Sequence, residues 1–183
     1  MLQELYFQFG SNNWINTEGV FRDPKEWYHV VYVVDTTQGT TSNRQKIYVN
    51  GVVVSTPVTS SNTFNFGTGE TWIGRITFDT SPTTQYFQGL LTNLRVVKGT
   101  AVYTSSFRPP TQPLTNITNT KLLCCNNESR SGSTVTPATI TAEGNPVARY
   151  YSPFDDPEGF VFGKSGEENI VKTGGYDGAG GWT

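Results

Sequence analysis

Histidine is nearly missing from this 183-residue chain, which holds only His29. Any nucleophilic triad or imidazole metal site would have to use that one ring. It sits between Tyr28 and Val30, and no Gly-x-Ser-x-Gly elbow occurs. The expectation is a structural histidine whose polar atoms find partners. Cysteine is almost as scarce. Cys124 and Cys125 are the only pair and are neighbours, which is too few for a disulfide framework. Adjacent strand residues point to opposite faces, so the two are expected not to bond, with one thiol buried and one partly exposed. Positive charge is not in excess either. Lys and Arg number 13 against 15 Asp and Glu, a net charge of -2, so a nucleic-acid partner has no electrostatic basis. No run of about 18 apolar residues is present, so no membrane insertion is expected. Residues 1–9 lack the basic region and apolar core of a signal peptide. Lys, Glu, Ala and Leu are thin, and no stretch keeps helical periodicity for three turns.

What fills the chain instead is Thr, Val, Tyr, Phe, Asn, Ser and Gly. β-branched and aromatic side chains suit a pleated, half-buried surface, and the small polar residues suit turns. Residues 5–9 and 14–20 read as strands separated by Gly10-Ser11-Asn12-Asn13. Residues 26–35 read as a strand in which Trp27, His29, Val31 and Val33 share one face and Tyr28, Val30, Tyr32 and Val34 the other. Both faces are apolar, which predicts a central strand. Residues 44–49 alternate, and Asn50-Gly51 then separates them from Val52-Val53-Val54. That dipeptide is the strongest short-range hairpin signal, because both residues tolerate positive φ.

Residues 71–75 read as a short strand and 77–85 as a polar loop. Residues 86–97 read as one long strand with Phe87 and Leu91 alternating and Gly89 at a bulge or close approach. Pro109, Pro110 and Pro113 exclude regular structure there. Residues 122–125 and 135–141 are further strands. Many short strands with turn signals roughly every 8–12 residues predict an all-β, antiparallel two-sheet sandwich. The pattern supports one domain over residues 1–154. Residues 155–183, rich in glycine, form an irregular tail leading toward a further domain or a partner subunit.

The run from Trp27-Tyr28-His29 to Tyr48-Val49-Asn50-Gly51 resembles the laminin-G-like, concanavalin A-like jelly-roll family. There an aromatic-His strand pairs with a Tyr-Val-Asn-Gly hairpin. Phe87-Gln88-Gly89-Leu90-Leu91 through Val97-Lys98-Gly99-Thr100-Ala101-Val102-Tyr103 is similar to that family's final strands. Together with Phe21-Arg22-Asp23-Pro24, Phe107-Arg108-Pro109-Pro110 and Leu122-Leu123-Cys124, it resembles versions found in tailed-phage and marine viral structural proteins. The family usually has several strands before the equivalent of Leu5. Either the sequence is an internal fragment or neighbouring subunits complete the sheets, since an open sheet edge invites association.

The resemblance implies a lectin-like jelly roll, displayed on the exterior of a virion as a tail-fibre, capsid-fibre or decoration subunit. Its partners would be other virion subunits, copies of itself and host glycans. The alternative is an assembly module that binds structural subunits and no sugar. The related fold also hosts glucanases, whose two carboxylates stand about 5–9.5 Å apart across the sugar. No Glu-x-Asp-x-Glu strand occurs here, and Asp155-Asp156-Pro157-Glu158 and Glu167-Glu168 read as solvated loop charge, so no catalytic residue is expected. Candidate sugar platforms combine an aromatic face with nearby polar groups. They are Trp14 beside Asn12 and Asn13, Phe78 with Asp79, and Tyr86 next to Gln85. No cofactor is expected. Calcium, which the family often holds at its loop rim, needs six or more oxygens, and Asp35 and Asp79 are the candidates. For Asp35 the competing role is hydrogen bonding within its own turn.

Overall fold

The computed structural model describes residues 6–9, 13–17, 21, 23, 26–55, 71–77, 84–149 and 152–154. The chain divides into two compact units, one of residues 1–91 with 97–109 and the other of residues 92–96 with 110–183. The pairs whose register is resolved are all antiparallel, and the one helical element among the described residues is a 3-10 turn at Thr41–Asn43.

In the first unit β1 (Tyr6–Phe9) pairs with β2 (Asn13–Asn16). A second sheet has the order β3 (Val30–Val34), β4 (Gln45–Val49), β5 (Val52–Val53). Alternation decides which way β4 faces. Ile47 and Val49 pack with Ile15 of β2 into a buried cluster that Phe21, Tyr28, Tyr32 and Val54 cover. Tyr48 points the other way and meets the Phe107 ring at 5.5 Å. Between β4 and β5 the backbone turns at Asn50 (φ 49) and Gly51 (φ 82). Positive φ at both turn residues is the type I′ signature that Asn-Gly favours. β6 (Arg75–Thr77) and β7 (Thr84–Tyr86) form a separate hairpin, with Arg75 opposite Tyr86.

The second unit has the strand order β10 (Ser133–Val135), β9 (Thr120–Cys124), β8 (Leu94–Val97), with β8 belonging to it as far as Val96. Leu123 and Cys124 are its buried residues among those described. The segment between β8 and β9 is pinned by side chains. Asn93 Oδ1 accepts from Leu114 N at 2.9 Å, and Arg95 Nη1 donates to Thr115 O at 3.1 Å.

Five expectations need correction. The short strand predicted over residues 71–75 is instead Arg75–Thr77, and the loop predicted over residues 77–85 gives up Thr77 to β6 and Thr84 and Gln85 to β7. The strand predicted over residues 26–35 begins at Val30, and among the described residues it is an edge of its sheet, with β4 in the middle. Apolar character on both faces reports cover above and below the sheet, not neighbours within it. Phe21 lies edge-on to Tyr28 at 4.9 Å, and Phe107 lies edge-on to His29 at 5.7 Å. The long strand predicted over residues 86–97 is two strands, β7 ending at Tyr86 and β8 starting at Leu94. Just before β8, Asn93 sits at φ 53, a left-handed conformation that ends a strand. The strand predicted over 135–141 stops at Val135. Pro137 has no N–H to give a ladder, and Thr136 Oγ1 accepts from Ala138 N instead. Finally, Cys125 leaves strand geometry at φ 56, so the two cysteines are not placed on opposite faces by a pleat. The tail expected from residue 155 onward lies outside the described residues.

Candidate functional site

The segments entering and leaving the β6–β7 hairpin, with Tyr86 at its end, hold a group of solvent-facing apolar side chains. Tyr86 is 61% exposed, Phe87 53% and Trp72 41%, and Ile73, Leu90 and Leu91 are exposed with them. Two stretches of backbone are held together here. Phe87 N donates to Gly74 O at 2.8 Å. A Cβ added at Gly74 would touch Phe87 Cβ and Leu91 Cδ1 at 3.8 and 3.9 Å. The Phe87 ring lies over Gly89, where a Cβ would sit 2.8 Å from ring atoms. Exposed apolar groups scattered singly are ordinary, and a group of several makes this surface the candidate for contact with another molecule. Aromatic faces of this kind cover the apolar C–H groups of a sugar, or the side chains of a protein.

Of the residues singled out from the sequence, Tyr86 stands on this surface. Gln85 is its neighbour in β7, opposite Ile76. Trp14 lies in β2 opposite Gln8, in a different sheet. The side chains of Trp14 and Gln85, and the whole of Phe78 and Asp79, lie outside the described residues. Sequence reasoning did not single out Trp72, Ile73, Leu90 or Leu91 as surface residues, and it read Phe87 and Leu91 as alternating positions of one long strand. The signal for correcting this was the pair of adjacent apolar residues at 72–73 and again at 90–91. Adjacent residues cannot share one face of a strand.

His29 is held by its backbone. Its N–H donates to Asn50 Oδ1 and its carbonyl accepts from Asn50 N, both at 2.9 Å. Its ring stands edge-on to Tyr103 and Phe107, which stack on one another at 3.6 Å. The surroundings are those of a packing residue between aromatic faces.

Asp35 closes its own turn. Oδ1 accepts from Thr37 N at 3.0 Å and Thr37 Oγ1 at 2.6 Å, and Oδ2 accepts from Gln38 Nε2 at 2.6 Å. Both oxygens are thus engaged in the turn, the role that competes with calcium ligation at this residue. Among the described residues no group of three or more His, Cys, Asp or Glu side chains could hold a metal ion. The hydrogen bonds, Thr37's first, hold the Asp35 carboxyl below its ordinary pKa, and Lys46 adds a smaller favourable charge. A carboxylate with a depressed folded pKa contributes stability that is present above the ordinary value of about 3.9 and is lost as pH falls through the folded value. In thermal melts from about pH 6 down to about pH 2, wild type is therefore expected to lose its margin over Asp35→Asn as acid is added. A margin that stays constant through that range would refute the carboxylate's role.

The two thiols are free, Cys124 buried and Cys125 half-buried, with their sulfurs 3.8 Å apart. A hydrogen bond from Cys124 stabilises the Cys125 thiolate and draws that group down to about 7, against the opposing effect of burial. The same bond, with burial and the neighbouring charge, pushes Cys124 up.

Comparison with known proteins gives one match. Residues 3–102 fit a family model described as the concanavalin A-like lectin/glucanases superfamily. No curated protein and no solved structure matches the chain. An all-β sandwich is the fold class that this match and the antiparallel strands share.

Proposed function

This chain belongs to the concanavalin A-like lectin/glucanase superfamily, and from that premise we propose that it is a non-catalytic recognition module that binds glycans through the exposed aromatic residues flanking the β6–β7 hairpin. The observation that carries the reading is the exposed group Trp72, Tyr86 and Phe87. Rings left in water at that density are costly to hydrate and gain from cover. A sugar offers both flat C–H faces for the rings and hydroxyls for nearby polar groups. The mode needs no metal and no cofactor.

The proposed setting is the outside of a virion, where the module stands beside other structural subunits and copies of itself and meets host glycans. The support is the ordered resemblance of Val97-Lys98-Gly99-Thr100-Ala101, Phe107-Arg108-Pro109-Pro110 and Leu122-Leu123-Cys124 to phage and marine viral structural proteins. That warrant comes from likeness, not from chemistry on the chain.

A glycan array with wild type, Tyr86→Ala and Trp72→Ala tests the reading. Tyr86 is 61% exposed and Trp72 41%, so both variants are expected to keep the fold, which circular dichroism checks. Wild type is expected to bind a reproducible sugar class, and each variant to bind it at least about tenfold more weakly, equivalent to about 1.4 kcal/mol. Equal binding by the variants, or no retained sugar, would overturn it. Binding of copies or partner subunits through the same residues, with no sugar retained, would instead establish the assembly reading.

A further inference from the structure

We propose that Cys124 and Cys125 form a dithiol clamp for a soft, thiophilic centre that accepts two sulfurs at one atom. The first reason is distance. Their sulfurs lie 3.8 Å apart. A tetrahedral centre with metal–sulfur bonds of about 2.3 Å separates any two of its sulfurs by about 3.8 Å. The pair is thus spaced for chelation without rearrangement.

The spacing has a structural cause. Residues next to each other on a strand would send their side chains to opposite faces. Cys125 instead adopts φ 56, which a non-glycine residue seldom does. The conformation is fixed through its carbonyl, which accepts from Asn93 N at 2.9 Å and Thr92 Oγ1 at 3.1 Å. Backbone strain of this kind persists only where the surroundings enforce it. The next residue, Asn126, has a buried Oδ1 with no hydrogen-bond partner in the structure. A buried acceptor of that sort ordinarily finds a donor or an ion.

An internal disulfide is the competing fate, and geometry disfavours it. The Cα atoms of adjacent residues are about 3.8 Å apart, below the roughly 4.4–6.8 Å that disulfides span. The sulfurs would also have to close from 3.8 Å to about 2.05 Å. Chelation needs neither change. Cys124 is buried and Cys125 half-buried, so an incoming centre meets Cys125 first.

The chemistry balances without an oxidant. An arylarsine oxide forms two As–S bonds as its As–O double bond breaks, and the two thiol protons leave with that oxygen as water. A divalent soft cation such as cadmium forms two metal–sulfur bonds and releases the two protons to solvent.

The test uses the reduced full chain. Phenylarsine oxide is expected to add once per chain by intact mass and to remove both thiols from titration. Cys125→Ser and Cys124→Ser are each expected to retain it at least about tenfold less well. Cadmium, added separately to wild type, is expected to give an ultraviolet sulfur-to-metal band, an arm that needs no variant to fold. Retention of the arsenical alone assigns a metalloid to the clamp, and a cadmium band as well assigns a soft cation. If wild type holds the arsenical no better than Cys125→Ser and shows no cadmium band, the clamp does not exist. Internal disulfide formation that outcompetes both ligands in a glutathione buffer overturns it too.

Discussion

Gly51→Ala is expected to destabilise the protein by roughly 2–4 kcal/mol, far more than a glycine-to-alanine change at an ordinary turn. Two penalties coincide at this position. The backbone sits at φ 82, where an L side chain costs about 1–2 kcal/mol. A Cβ there would also run into the carbonyl of Phe107, with Pro109 Cδ close behind at 3.4 Å. Those atoms are backbone and ring, so they cannot step aside as the end of a flexible side chain would. The site is tied further by Phe107 N, which donates to Gly51 O at 3.0 Å. Displacing residue 107 would disturb the ring that covers Tyr48 and His29. Gly99→Ala separates the two penalties. Gly99 has φ 95 but nothing within 4 Å of an added Cβ, so it should show the backbone cost alone, about 1 kcal/mol. Chemical denaturation of both variants checks the argument. Equal losses at the two glycines would mean that the Phe107 approach carries no weight.

That turn is also where the sequence was most legible. Asn50-Gly51 between apolar runs names a turn type, and the turn type sets the register Val49↔Val52 and Tyr48↔Val53. The alternation of residues 44–49 likewise gave β4 in nearly its observed limits. Both signals are local, because φ preference and period-two patterning are properties of a few consecutive residues.

What was not legible depends on partners distant in sequence. The apolar faces of residues 27–34 do not say whether cover comes from a strand, a loop ring or solvent, so β3 was placed centrally. Phe87 and Leu91 read as alternating positions of one strand because that spacing assumes the strand is unbroken. The left-handed turn of Asn93 depends on bonds to Leu114 N and Cys125 O, more than twenty residues away. The Cys124–Cys125 spacing has the same origin, through the bonds that Cys125 O accepts from Thr92 and Asn93. For the candidate surface, Tyr86 was legible as an aromatic beside an amide. Trp72 was not, because exposure of a large apolar residue runs against the rule that pattern reading applies.

Ile47→Ala is the second large effect, with an expected loss of about 2–5 kcal/mol. The cost follows from where β4 runs. Ile47 is fully buried and packs with Ile15 and Val49, so truncation removes apolar area and leaves a cavity between sheet residues whose backbones are fixed. On both sides that backbone is engaged. Ile47 stands opposite Tyr32 in the ladder, its N–H donates to Ser55 Oγ at 3.1 Å, and its carbonyl accepts from Val54 N at 2.9 Å. With so little freedom to collapse, the site should fall in the upper half of the range. Ile47→Val removes one methylene and is expected to cost about 0.5–1.5 kcal/mol. Val53→Thr, on exposed β5, should stay within about 0.5 kcal/mol. Urea midpoints for the three variants would rank the positions. A loss at Ile47→Ala no greater than at Val53→Thr would mean that the Ile15–Ile47–Val49 cluster is not what holds β2 and β4 together.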